Sequence, residues 1–184
     1  GAKPQASERA RQALEMLRGL DDLEIVTYPG EMGEDAARAS GFQPTVVGSI
    51  VPGATTAQDT RDAARTLQAA GVDLLLFAGG DGTARDIYEA VGLDRPVLGI
   101  PAGVKIHSAV YAINPVTAGE LAALYLQGRV DSLREAEVLD TIGLLLEGER
   151  QRLAITGVPG VFTRQLIPPG VEGLSCPDDL QAYG

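Results

Sequence analysis

The amino-acid sequence predicts an α/β fold: an open, mostly parallel, Rossmann-like sheet with helices on both faces, followed by a partial β-rich C-terminal segment. Over the first ~125 residues, short apolar runs alternate with helical patterns, which is typical of βαβ units. The run Val72–Ala78 is almost wholly apolar, as expected for a strand that helices cover on both faces. Glycine-rich loops follow this run and the run Pro96–Pro101, at the strand ends where parallel sheets usually bind ligands.

The first part of the chain supplies a long helix, a short helix and two strands. Ser7 is a candidate N-cap for a helix whose apolar residues recur at helical spacing as far as Leu17. We predict a strand at Leu23–Tyr28, a glycine-containing loop entering a short helix at residues 29–41, and a second apolar run at residues 44–51.

The next helix precedes the strand Val72–Ala78. Thr55 and Gln58 have the spacing of a capping box, and Gly71 is expected to end this helix. Thr55 and Thr56 either only cap the helix or also reach a bound phosphate with their hydroxyl groups, so both are candidate nucleotide contacts.

Two further helices are predicted around the strand Pro96–Pro101. The first runs from Thr83 to its stop at Gly92. The second begins at a capping box formed by Thr117 and Glu120, and Gly128 ends it.

The C-terminal part has a different composition. Two apolar runs flank residues 147–152, which predicts a β-hairpin, and residues 158–170 are rich in Gly and Pro, which predicts irregular structure. We therefore divide the chain into an α/β domain at residues 1–135 and a β-rich second-domain segment at residues 136–184. The second unit is short for an independent core, so we expect an incomplete domain.

The composition limits the classes of partner. The net charge of −10 disfavours nucleic acid, because proteins that bind phosphate backbones usually carry a basic surface. No apolar run approaches the roughly 18 residues of a membrane span, so no membrane partner is expected. The single cysteine, Cys176, cannot form an internal disulfide, which favours a reducing, cytoplasmic location. Small molecules are the partners that remain.

The sequence GGDGT follows the apolar strand and suits an anion-binding loop. Gly79, Gly80 and Gly82 allow a sharp turn with positive φ and let a ligand approach the main chain closely. The helix that begins at Thr83 presents main-chain N–H groups and the positive end of its dipole, which favour a phosphate. The loop does not match the dinucleotide fingerprint, because Arg85 replaces the third glycine, and the ATPase phosphate loop is absent.

Asp81 is the charged residue inside this glycine loop. A carboxylate beside a phosphate repels it unless the carboxylate has a chemical role, such as taking a proton from an attacking hydroxyl or holding Mg²⁺. Both roles point to phosphoryl transfer, although no set of dedicated metal ligands is recognisable. The alternative is a turn in which Asp81 only hydrogen-bonds its own backbone.

A second glycine loop follows the next strand, with Gly99 and Gly103. Lys105 supplies a cation that neutralises a phosphate as a point charge, or else it lies solvated on the surface. His107 and Ser108 add two further polar groups that we assign to nucleotide binding, although a single histidine is more often structural.

The segments AGGDGT and GIPAGVKIHSAVYAINP resemble the superfamily that joins NAD kinases, diacylglycerol and sphingosine lipid kinases, and phosphofructokinases. Together with PGEMGEDAAR, TTAQDT and LLLFAGGDGTARDIYEAVG, they are most similar to the bacterial and archaeal ATP-NAD kinase-like family, a branch that includes a protein associated with acetoin catabolism. The resemblance covers residues 1–140 and keeps the order of the motifs.

This resemblance implies transfer of a phosphate from ATP or polyphosphate to the adenosine 2′-hydroxyl of NAD, which gives NADP. The motif aspartate of NAD kinases corresponds to Asp81, which would be catalytic, and Gly79, Gly80, Gly82 and Thr83 would form the nucleotide-binding loop. The implied small molecules are ATP, NAD and Mg²⁺, residues 1–135 would be the nucleotide-binding kinase domain, and a homodimer or larger homo-oligomer is expected by analogy.

Two other functions stay open, because the asparagine–glutamate motif with which NAD kinases hold NAD is not evident in this chain. One is a regulatory protein that binds a nucleotide or NAD without turnover. The other is a related kinase that acts on a hydroxyl of a lipid or a small metabolite.

Overall fold

The computed structural model describes residues 2–92, 94–103, 106–129, 133–137 and 162–166. Its helices are α1 (Ala2–Glu15), α2 (Glu34–Ala39), α3 (Ala57–Ala69), α4 (Asp81–Val91) and α5 (Pro115–Leu126), with a 3₁₀ turn at Gly30–Met32. Its strands are β1 (Val26–Thr27), β2 (Thr45–Val46), β3 (Leu75–Gly79), β4 (Pro96–Pro101), β5 (Leu133–Glu137) and β6 (Phe162–Leu166). The hairpin predicted around residues 147–152 and Cys176 lie outside the described residues.

The strands form two sheets. β1 and β2 pair in parallel, with Val26 opposite Thr45. The other sheet has the order β3-β4-β6-β5, in which β3 with β4 and β4 with β6 are parallel and β5 with β6 is antiparallel. The α/β class and the mostly parallel pairing are therefore confirmed. The predicted single Rossmann-like sheet is seen as two separate sheets in the part of the chain that the structure describes.

β3 is covered on both faces, as its apolar sequence predicts. Leu75 and Phe77 are buried in a cluster with Ile87 of α4. Leu76 and Ala78 alternate with them and pack against a second cluster, to which α1 and α5 contribute. Because its two sets of side chains are held between helices, β3 fixes the position of the glycine loop at its carboxyl end.

α1 and α4 begin earlier than predicted. α1 starts at Ala2, so Ser7 lies within the helix and is not its N-cap. α4 starts at Asp81, two residues before Thr83, with Gly80 as its N-cap in an extended conformation. A carboxylate in the first turn of a helix interacts favourably with the helix dipole, which explains why Asp81 belongs to α4 and not to the preceding loop.

The capping box of α3 lies one residue later than predicted from Thr55 and Gln58. Thr56 and Asp59 form it, with the Thr56 N–H donating to Asp59 Oδ2 at 2.7 Å. The Asp59 carboxylate is charged and is therefore a stronger acceptor than the Gln58 amide. The Thr55 hydroxyl donates instead to Glu31 Oε1 at 3.1 Å.

α5 begins at Pro115, and its N-cap is Asn114, whose side-chain oxygen accepts a hydrogen bond from the Thr117 N–H at 2.8 Å. The predicted capping box of Thr117 with Glu120 is therefore wrong. Asn is a stronger N-cap than its neighbours here, and the fixed φ of Pro suits the first helical position. The predicted helix stops are confirmed, since glycines with positive φ follow α3, α4 and α5 (Gly71, Gly92 and Gly128).

β6 lies in the predicted β-rich segment and extends the sheet of β3 and β4. The prediction of irregular structure at residues 158–170 is wrong at Phe162–Leu166, which form β6. β5 continues across the predicted division of the chain. The division of the chain between residues 135 and 136 stays a prediction. Within the described ranges, no helix is both long enough and apolar enough to cross a membrane.

Candidate functional site

The two predicted glycine loops leave the sheet side by side. β3 and β4 are parallel neighbours, and Gly79 lies opposite Pro101 at their carboxyl ends. The Ala102 N–H donates to the Gly79 carbonyl oxygen at 3.0 Å. A Cβ atom added to Gly103 would lie 3.5 Å from the Cα atom of Gly80, so a side chain at position 103 would already contact the first loop.

The glycines of these loops provide space and not an unusual backbone conformation. The expectation of positive φ is wrong, because glycines with positive φ occur elsewhere in the chain and not at Gly79, Gly80, Gly82 or Gly103. A Cβ atom on Gly79 would meet the Oγ1 atom of Thr83 at 2.3 Å, so a side chain there would displace the start of α4. Gly82 is exposed, and a Cβ atom there would have nothing within 4 Å, which leaves its main chain open to a ligand.

Asp81 connects the first loop to the second. Its residue surface is only 4 % exposed. The His107 N–H donates to Asp81 Oδ2 at 2.9 Å and to Oδ1 at 3.2 Å, and the Ser108 N–H donates to Oδ1 at 2.9 Å. The carboxylate therefore does not bond only within its own turn, which was the alternative that the sequence left open. It ties the start of α4 to the segment that follows β4.

Tyr111 makes a second connection between the loops, and sequence reasoning did not select it. Its hydroxyl donates to the Gly80 carbonyl oxygen. Its ring meets the Phe77 ring edge-on, with centroids 5.5 Å apart, and occupies the space beside Gly99, where an added Cβ atom would lie 2.4 Å from a ring carbon. Burial, and secondarily the charge of Asp81, raises the pKa of the Tyr111 hydroxyl well above its usual value. A glycine inside an apolar strand often marks such a close approach, so Gly99 was the signal that could have led to Tyr111.

A groove of about 1400 Å³ opens at these loops and extends between β1 and β3. Its wall at the loop end contains most of the residues that the sequence assigned to nucleotide binding: Thr55, Thr56, Gly79, Gly80, Gly82, Thr83 and Gly103. Asp81 is not part of the wall and lies buried behind it.

The remaining residues predicted in the second loop differ in their placement. His107 is exposed, and its main-chain N–H, not its imidazole ring, makes the contact with Asp81. Ser108 is fully buried, so its N–H belongs to the support of Asp81. Lys105 lies outside the described residues.

Glu31 is a second residue that sequence reasoning missed. Its Oε1 atom accepts hydrogen bonds from the Gly53 N–H and the Thr55 hydroxyl, both at 3.1 Å. Glu31 thereby holds the loop before α3 at the wall of the groove. Thr56 caps α3, and contact of the two threonine hydroxyls with a phosphate stays a prediction.

A family model described as the ATP-NAD kinase N-terminal domain matches residues 2–130. Neither a curated protein nor a solved structure is significantly similar to the chain. The matched residues include both glycine loops, Asp81, Tyr111 and the wall of the groove.

Proposed function

Because the chain belongs to the ATP-NAD kinase family, we propose that it is a phosphotransferase that moves a phosphate from ATP or polyphosphate to the adenosine 2′-hydroxyl of NAD. Membership of this family supports a kinase-like transferase, and the choice of NAD and of the donor belongs to the proposal. One observation carries it: two glycine loops meet at the carboxyl ends of β3 and β4, with the Asp81 carboxylate held between them.

The start of α4 is suited to hold the phosphates. A helix N-terminus carries roughly half a positive charge, and its first main-chain N–H groups point away from the helix. Gly82 lies in this first turn, is exposed, and offers its main chain without a side chain in the way. Gly79, Gly80 and Gly103 likewise line the groove with backbone. Negatively charged phosphates can therefore approach these N–H groups closely.

Asp81 is the proposed base, or the carboxylate that holds Mg²⁺. Over the described ranges, no group of three or more His, Cys, Asp or Glu side chains is placed to hold a metal ion. Mg²⁺ usually binds one or two protein carboxylates together with substrate phosphates, so an ion of that kind would require no separate cage, and Asp81 is the carboxylate between the two loops that would hold it. When bound, Mg²⁺ neutralises charge on the transferred phosphate. We also assign to Lys105 the neutralisation of phosphate charge.

A second function is favoured by the burial of Asp81. Its surface is 4 % exposed, and both carboxylate oxygens accept main-chain hydrogen bonds. A carboxylate used in this way stabilises a loop that binds nucleotides, whether or not turnover follows. A protein that binds ATP or NAD without catalysis is therefore the alternative.

Purified chain incubated with Mg²⁺, NAD and either ATP or polyphosphate distinguishes these functions. We expect NADP to form, measured by its reduction with an NADP-specific dehydrogenase. Binding of ATP and NAD by calorimetry, with no NADP formed, would support the non-catalytic alternative and overturn the phosphorylation of NAD. A folded chain that binds neither nucleotide would overturn both.

A further inference from the structure

We propose that Tyr111 is a positioning residue of the nucleotide site: by donating to the Gly80 carbonyl oxygen, its hydroxyl fixes the peptide from which α4 starts, and so orients the first turn of α4 toward a bound phosphate. The inference rests on the proposed nucleotide site in the same loops. It adds to that site a residue that touches neither the groove nor the reacting groups.

The Gly80 carbonyl oxygen accepts two hydrogen bonds. One comes from the Ala84 N–H at 3.1 Å and is the first helical bond of α4. The other comes from the Tyr111 hydroxyl. Two donors fix the plane of the peptide between Gly80 and Asp81, because the carbonyl group can no longer rotate without losing one of them. The direction in which α4 presents its first N–H groups is set by this plane.

The Tyr111 bond and the Asp81 bonds run in opposite directions between the same two segments. Asp81 accepts from the N–H groups of His107 and Ser108, while Tyr111, three residues beyond Ser108, donates back to Gly80. Adjacent residues of the first loop are therefore each held by the second segment. A single bond would allow the first loop to rotate about it. The Tyr111 bond and the Asp81 bonds together fix the orientation of the first loop relative to the second segment.

The Tyr111 ring is itself held rigidly. The Gly99 N–H donates to the Val110 carbonyl oxygen at 2.9 Å, and the Ala112 N–H donates to the Gly99 carbonyl oxygen at 3.0 Å. The backbone on both sides of Tyr111 is thus attached to β4, and its ring packs against Phe77 of β3. The Tyr111 hydroxyl is therefore held through its backbone by β4 and through its ring by β3, beside the glycine loop.

Glycines surround the residue that must be positioned. Gly79 and Gly80 precede Asp81, and Gly82 follows it. Glycine loses more conformational freedom on ordering than other residues, so a loop of this composition requires external contacts to stay in one conformation. A tyrosine hydroxyl has a pKa of about 10 in water, so it is protonated and can donate at neutral pH, and the burial of Tyr111 raises this pKa further.

Tyr111→Phe tests the proposal, because it removes the hydroxyl and keeps the packing of the ring. The Gly80 carbonyl oxygen retains the Ala84 N–H as a donor, so the variant leaves no acceptor without a partner and is expected to fold. The matched control is Tyr125→Phe, which removes a hydroxyl that donates to the Asp73 carbonyl oxygen at 3.4 Å, away from the loops. A variant with p-aminophenylalanine at position 111 restores a donor at the same place on the ring.

Two measurements are made on each variant: the affinity for Mg²⁺-ATP by calorimetry, and hydrogen exchange of the His107 and Ser108 amides. Tyr111→Phe is expected to bind ATP about 10-fold more weakly and to exchange both amides faster, since a lost hydrogen bond is worth about that factor. Tyr125→Phe is expected to match the wild type, and p-aminophenylalanine to restore both values. Affinity and exchange in Tyr111→Phe equal to those of the control would overturn the proposal.

The two readouts separate this inference from the proposed function. If the wild-type chain binds no ATP, the nucleotide site fails, and the role of Tyr111 as a positioning residue for that site fails with it. If the wild type binds ATP and Tyr111→Phe binds it equally well, only the role of Tyr111 fails. Faster exchange with unchanged affinity would show a merely structural bond and would also overturn the proposal.

Discussion

The Ser108 N–H donates to the Oδ1 atom of Asp81 at 2.9 Å, across 27 positions of the sequence. The bond joins the start of α4 to the segment that follows β4. Asp81, the charged residue of the glycine loop, is buried at this junction. A carboxylate in a loop of glycines therefore has a structural partner of its own, in addition to any bound nucleotide. A substitution that keeps the shape of the side chain and removes its charge separates these two uses of Asp81.

Asp81→Asn is expected to lose turnover while it still binds nucleotide. The amide oxygen can accept from the Ser108 N–H as the carboxylate does, but the amide nitrogen is a donor and cannot accept from the His107 N–H. We expect a loss of about 1–3 kcal/mol in the free energy of unfolding and a fall in turnover of roughly 100-fold or more. Urea denaturation, ATP titration and NADP formation measure the three quantities. Unchanged turnover would exclude Asp81 as the base.

Gly82→Asp and Gly82→Asn form a matched pair that tests the phosphate seat. A Cβ atom at Gly82 meets nothing within 4 Å, so both variants fit the fold. The aspartate places a negative charge in the first turn of α4, which stabilises the helix by about 0.3–1 kcal/mol but repels a phosphate at the same place. We expect ATP affinity to fall at least about 10-fold more in Gly82→Asp than in Gly82→Asn.

The outcome of this pair is read from calorimetry together with thermal unfolding. Weaker ATP binding by Gly82→Asp, in a fold at least as stable as that of Gly82→Asn, would show that the effect is electrostatic and local. Equal affinities for the two variants would mean that the phosphates do not bind at the start of α4.

Gly119→Ala tests the packing of α5 on α1. In an exposed helix this change would stabilise the protein by about 1 kcal/mol, because alanine has the higher helix propensity. At Gly119 the added Cβ atom would meet the Ala13 carbonyl oxygen at 2.2 Å, so the two helices must separate. We expect a net loss of about 1–3 kcal/mol in the free energy of unfolding, measured with urea. The exposed neighbour Glu120→Ala serves as the control and should change it by less than about 0.5 kcal/mol. A stabilised Gly119→Ala would contradict the close contact.

The sequence predicts well what is decided locally. β4 has the predicted bounds, and the helix stops at Gly71, Gly92 and Gly128 are confirmed, because an apolar run or a glycine with positive φ acts within a few residues. Helix starts were less accurate: Thr56 caps α3 together with Asp59, while the Thr55 hydroxyl donates to Glu31, which lies more than 20 residues away along the chain.

The contacts that build the candidate site depend on pairing between distant segments, and the sequence does not reveal them. The motif GGDGT located the first loop and marked Asp81 as unusual, but it did not show that Asp81 accepts from His107 and Ser108. Tyr111 was not singled out from the sequence, because its close approach to Gly99 is visible only in the folded structure. The division of the strands into two sheets likewise requires knowledge of which strand edges meet.

Because an ion pair joins α3 and α4, we expect a variant that lacks its cation to have a free energy of unfolding that depends on pH. Arg61 Nη1 lies 2.7 Å from Asp86 Oδ1, and the two side chains are 25 % and 18 % exposed. Burial raises the pKa of Asp86, while the charge of Arg61 acts in the opposite direction and lowers it. Arg61→Met removes that opposing charge, so the folded-state pKa of Asp86 should rise further. The ionised carboxylate is then left partly buried without its cation.

The sign of the pH dependence follows from this raised pKa. A carboxyl group whose pKa is higher in the folded state contributes stability below its unfolded pKa, and that contribution is lost as the pH rises through the folded pKa. Arg61→Met should therefore be destabilised relative to the wild type by about 1–3 kcal/mol at pH 7, and the difference should shrink as the pH falls toward about 4. Urea denaturation at a series of pH values measures it. In the double variant Arg61→Met with Asp86→Asn the pH dependence should become smaller, because no charge remains at position 86, and what is left comes from Glu89, whose Oε2 atom lies 3.5 Å from Arg61 Nη1. A difference between Arg61→Met and the wild type that stays constant with pH would show that Arg61 stabilises the two helices by packing and not by its charge.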